Sequence, residues 1–84
     1  MITHEEAAAR IRRSGARYGG VTFIKADGSV REMWFQYGRM RPVKEHVDRP
    51  GCLTVWDRHK EEWRSIPIAR LLELRMDGTT EEVE

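Results

Sequence analysis

The sequence predicts a mainly β fold: five short antiparallel strands curled into an SH3-like or Sm-like small barrel, with an N-terminal α-helix and a single 3-10 turn before the last strand. Three observations carry that prediction. Residues 53–66 read as two alternating strands around a charged turn, with Trp56 and Trp63 at matching positions. Asp27-Gly28 lies between two β-rich runs, a strong hairpin signal. Residues 67–71 are too short for a proper helix but fit one turn opened by Pro67.

In chain order, Thr3 and Glu6 form a capping box ahead of three alanines, and Ile2 and Ala7 stand where a hydrophobic staple would. Glu5 and Glu6 suit the positive end of a helix dipole, while Arg10, Arg12 and Arg13 suit the other end. Gly15 is a natural stop, so a helix is expected over about 4–14, with Ala7, Ala8 and Ile11 as a thin apolar face. Arg10, Arg13 and Arg17 would align as a basic stripe if that helix reached Arg17.

Residues 21–26 alternate as a strand, Asp27-Gly28 predicts a type I′ turn, and 29–37 is the return strand. That strand sets Met33, Phe35 and Tyr37 on one face and Val30, Glu32, Trp34 and Gln36 on the other. Aromatics on both faces call for a central position, a strong bend, or a ligand on one side. Residues 38–51 form an irregular loop with Arg39, Arg41, Lys44 and Arg49, either a gripping element or a mobile surface segment.

In the hairpin that follows, Asp57 opposite Glu62 would face Trp56 to Trp63 and put Leu53, Val55 and Ile66 on the other side. Residues 72–76 give the last strand, with Leu72, Leu74 and Met76 inward, and 77–84 an acidic, disordered tail. The expected organisation is therefore helix and connection over 1–18, barrel over 19–76, tail over 77–84. An OB barrel fits less well, because its helix usually lies between strands three and four.

At 84 residues the chain is one domain, near the lower limit for a self-sufficient core, so self-association is a standing expectation. No apolar run approaches the roughly 20 residues of a membrane span. One cysteine, Cys52, and no signal-peptide pattern suggest a reducing cytoplasm. Four of the 14 acids sit in residues 77–84, leaving 10 to face 15 basic residues, a body excess of about five positive charges. Such a body suits an anionic partner, for which the tail would compete.

Lys25-Ala-Asp-Gly-Ser-Val-Arg31, Val55-Trp-Asp57 and Trp63-Arg-Ser-Ile66, with their spacing, resemble a family of small Sm-like, SH3-like barrel proteins of phages and bacteria, named by analogy with the WYL domain. The resemblance spans about residues 20–76 and implies the fold and a phage or bacterial source. It implies little about activity, since small barrels host many functions. The Trp-Tyr-Leu tripeptide is absent, so no ligand residues of WYL regulators transfer.

Enzyme and cofactor motifs are missing, and His46, Cys52 and His59 match no usual zinc spacing. Cys52 reads as a small buried hydrophobe. What remains is binding. Arg39, Arg41 and Lys44 of the loop, Arg10 and Arg13 of the helix, Arg31 beside Trp34, and Trp56 beside Arg58 are the candidate ligand-binding residues. Aromatic faces stack bases while arginines hold phosphates. Core burial is the expectation for Trp34 and Trp63, binding for Trp56. The function expected is a non-enzymatic accessory module that binds single-stranded nucleic acid or a nucleotide. The alternative is a phage-encoded anti-defence protein that blocks a host protein or sequesters a nucleotide signal, as a homo-oligomer.

Overall fold

The computed structural model describes residues 1–39 and 48–84. Among these residues it is mainly β: one antiparallel six-stranded sheet, one α-helix and one 3-10 turn. Helix α1 (His4–Arg12) leads into β1 (Tyr18–Ile24), β2 (Val30–Gln36), β3 (Cys52–Asp57), β4 (Glu62–Pro67), the 3-10 turn Ile68–Arg70, β5 (Leu71–Met76) and β6 (Thr79–Glu82). The strand order is β4-β3-β2-β1-β5-β6. Among the described residues β4 and β6 are edges, so the sheet is open and has one strand more than the sequence predicts.

The sheet nonetheless bends strongly. In a flat sheet β4 and β5 would lie four spacings apart, about 19 Å. They are joined by a 3-10 turn of three residues, each rising about 2 Å. The concave face gathers Val21, Phe23, Met33, Phe35, Leu53, Val55, Ile66, Leu71 and Leu74 into one buried cluster with Ala7, Ala8 and Ile11 of the helix. Fully burying a side chain of the Val, Leu, Ile, Phe or Met type stabilises by about 1.5–3 kcal/mol, and this shared cluster is what holds the curl.

Local chemistry sets the ends of α1. Thr3 Oγ1 accepts from the Glu6 N–H at 3.1 Å. At the other end Ser14 Oγ donates to the Ile11 carbonyl at 2.6 Å, and Gly15 takes φ +61°, a left-handed conformation that glycine adopts without a Cβ clash. The helix ends at Arg12, so the stripe from Arg10 through Arg13 to Arg17 does not form.

The β1–β2 connection differs from the expected type I′ turn. Gly28 has φ +88° but Asp27 is not left-handed, the Gly28 N–H donates to the Lys25 carbonyl, and the Lys25 N–H donates to the Ser29 carbonyl. This is a three-residue loop closed by a left-handed glycine. Asp27 accepts from both Ser29 Oγ at 2.6 Å and the Ser29 N–H at 2.9 Å.

The β3–β4 hairpin has the expected register: Leu53 opposite Ile66, Trp56 opposite Trp63, Asp57 opposite Glu62. Its turn is fixed by Asp57, whose Oδ1 accepts from the His59 and Lys60 N–H groups at 3.0 and 3.1 Å.

Two expectations about the C-terminal part are corrected. Thr22 and Phe23, adjacent on β1, pair with Glu73 and Leu71, so Leu72 is an extra residue. That bulge turns Leu71 inward and leaves Leu72 exposed. Residues 79–82 are not a disordered tail but β6, paired to β5 from Met76↔Thr79 to Glu73↔Glu82. Beyond it Val83 is buried and bridges Ile2, whose N–H donates to the Glu82 carbonyl.

Candidate functional site

The convex face of the sheet carries the most distinctive surface. Strand alternation and pairing put Tyr18, Trp34, Gln36, Trp56 and Trp63 on one side, across β1 to β4: Tyr18 pairs with Gln36, Gln36 with Trp56, and Trp56 with Trp63. Tyr18 is 47% and Trp34 43% exposed. None of the three tryptophans belongs to the core cluster, which corrects the expectation for Trp34 and Trp63. Aliphatic side chains with Phe23, Met33 and Phe35 fill the concave side, so the indoles are left outside.

Arginines lie over these rings. The Arg39 guanidinium carbon sits 4.1 Å from the Trp56 ring centroid, that of Arg58 4.7 Å from Tyr18, and that of Arg75 5.8 Å from Trp34. A cation over an aromatic face gains about 0.5–1 kcal/mol when exposed. Trp56 and Trp63 meet edge to face, with centroids 5.6 Å apart.

Gly20 explains how Trp34 and Arg75 come together. It pairs with Trp34 on one side and with Arg75 on the other. A Cβ there would lie 3.0 Å from Arg75 Nε and 3.2 Å from Trp34 Cζ3. Both side chains therefore lean across the space a side chain would fill. Arg75 is held by Thr22 Oγ1 at 3.0 Å and by Glu73. Beside this row a groove of about 320 Å³ runs from Tyr18 and Trp34 to the β5–β6 turn.

The predicted site residues separate into three places. Arg39, Trp56 and Arg58 share the convex face. Arg31 does not: it points to the concave side, where Nη2 donates to Asp57 Oδ2 at 2.7 Å. Arg10 and Arg13 belong to the helix terminus, and Arg10 lies 4.0 Å from Glu81. Arg17 pairs with Asp77. The acidic C-terminal segment thus engages Arg10 and Arg17. Arg41, Lys44 and His46 fall outside the described residues.

Tyr18 and Arg75 were not singled out from sequence. The available signal was Gly20 inside a strand, which often marks a close approach. Among the described residues no three His, Cys, Asp or Glu side chains cluster as metal ligands. No described helix is long and apolar enough to cross a membrane. No family model, curated protein or solved structure matches the chain.

Proposed function

We propose that this chain is a non-enzymatic binding module for single-stranded nucleic acid, with bases stacked on Trp34, Tyr18 and Trp56 and phosphates held by Arg58, Arg75 and Arg39. The observation that carries this reading is the pairing of exposed Tyr18 and Trp34 and half-buried Trp56 with arginines on one sheet face. Stacking on an aromatic side chain contributes about 1–3 kcal/mol per base and tolerates any sequence. Within the same proposal, the bent sheet is a variant of the five-stranded SH3-like or Sm-like barrel with β6 added. The chain then belongs with the phage and bacterial small-barrel family, acting in the cytoplasm of a bacterial host.

The test is fluorescence anisotropy of the full chain with a labelled single-stranded oligonucleotide. Trp34→Ala with Tyr18→Ala should weaken binding by about tenfold or more. Affinity should also fall steeply with salt, because contacts to phosphates release counterions. Unchanged affinity in the double variant overturns the assignment of the convex face.

A second reading draws on the same exposed rings. Tyr, Trp and Arg are enriched at protein interfaces, so the face also suits a host protein or a second copy, as in an anti-defence protein. That reading predicts a complex or oligomer that persists without nucleic acid and at high salt.

A further inference from the structure

A separate cleft of about 180 Å³ opens at one end of the concave face, with Lys25, Arg31, Arg64 and Arg70 around Phe23 and Met33. It shares no residue with the convex platform. None of its lining residues is acidic. Behind it, the buried Asp57 carboxylate serves two guanidiniums: Arg31 Nη2 at 2.7 Å and Arg64 Nε at 3.8 Å, both from Oδ2. Arg64 also pairs with Glu62. Among the described residues Lys25 has no ion-pair partner, and Arg70 donates to the Ile24 carbonyl at 2.9 Å.

Two further facts indicate readiness for an anion. Arg64 Nε is buried and makes no hydrogen bond among the described residues. A buried donor in this state costs free energy that an incoming acceptor would recover. Four cations also converge with too few carboxylates nearby, so their mutual repulsion falls when a multiply charged anion enters. The buried Phe23 and Met33 form an apolar floor for an uncharged moiety. Ligand pockets for drug-sized molecules usually run to about 300–1,000 Å³. The volume here fits a phosphate and the single sugar that carries it, not a dinucleotide.

We infer that this cleft is a second binding site, specific for a sugar phosphomonoester, with Lys25 and Arg70 gripping the phosphate and Arg31 and Arg64 held in place by Asp57. The same chemistry comes from two sources: a free pentose phosphate or the phosphorylated end of a nucleic-acid strand. The inference does not depend on the convex face.

The experiment has two arms, both on the full chain. Calorimetry compares ribose phosphate with ribose, and anisotropy compares a 5′-phosphorylated oligonucleotide with its 5′-hydroxyl counterpart. Saturable binding of ribose phosphate alone identifies the free source; a preference for the 5′-phosphorylated strand identifies the strand end. Either signal should drop by about tenfold or more in Lys25→Ala/Arg70→Ala. It should persist in Trp34→Ala, which reports on the convex face. Should the double variant misfold, Lys25→Ala alone is read, since that side chain has no ion-pair partner among the described residues. Absence of any phosphate dependence in both arms overturns the inference, as does an equal loss in Trp34→Ala. Binding of the 5′-hydroxyl strand reads the convex face alone, so the two failures are distinguishable.

Discussion

Arg31 and Asp57, 26 residues apart in sequence, meet on the concave side with a hydrogen bond of 2.7 Å. Asp57 is 1% exposed, and its other oxygen caps the turn that begins β4. One carboxylate therefore ties β2 to the β3–β4 hairpin. Removing one partner of a buried ion pair costs about 3–5 kcal/mol. Asp57→Ala should lose that much in urea denaturation, whereas Arg31→Met with Asp57→Leu should recover only part of it, because leucine cannot accept from the His59 and Lys60 N–H groups. A loss below about 1 kcal/mol in Asp57→Ala would mean that the carboxylate is not holding the hairpin.

Trp63 and Phe35 should behave differently despite similar size. Phe35 is 0% exposed, and truncating a buried phenylalanine costs about 3–5 kcal/mol. Trp63 is half-buried and meets Trp56 edge to face, so Trp63→Ala should cost about 1–2 kcal/mol. Equal losses in thermal unfolding would place Trp63 in the core after all.

Much of this was readable in advance because the period of two is strong where one face is apolar. Leu53, Val55 and Ile66 against Trp56 and Trp63 specify the hairpin register. Leu72 misleads because a bulge breaks that period, and nothing in Leu-Leu-Glu-Leu says which leucine is extra. The strand Thr79–Glu82 carries no apolar alternation, so its composition looks like a solvated tail; only Val83 hints at burial. On the convex face the Arg and Trp residues were visible as types. The partners of Trp34 were not, because Arg75 reaches it from the other side of Gly20, across a pairing far apart in sequence.

Gly38 should tolerate no side chain. Its N–H donates to the Gly15 carbonyl at 2.7 Å. A Cβ would lie 2.3 Å from the Gly15 carbonyl carbon and oxygen, which are backbone atoms and cannot swing away. Gly38→Ala should lower the Tm, by an overpacking cost of about 1–3 kcal/mol. An unchanged Tm would show that the helix exit and the end of β2 separate freely.

Asp27 gives a pH dependence of known sign. Hydrogen bonds from Ser29, first from Oγ and then from the N–H, hold its carboxyl below the ordinary value of 3.8. A depressed carboxyl contributes stability that is present above 3.8 and lost as pH falls through the lower, folded value. Ser29→Ala should bring the Asp27 titration, followed by carboxyl NMR shifts, back up toward 3.8. No movement would remove the Ser29 hydroxyl as the cause.

The bridge between Ile2 and Val83 has a consequence for the order in which the molecule forms. It closes a loop of nearly the whole chain, and loop closure grows costlier with length, as about 1.5 RT times the logarithm of the number of residues. The β1–β2 and β3–β4 hairpins close over a few residues each and so come early. Joining residue 2 to residue 83 is then a late event, which speeds unfolding when lost more than it slows folding. The β6 seam acts as a latch on the finished sheet, and its strength sets how long the folded state survives rather than how quickly it is reached.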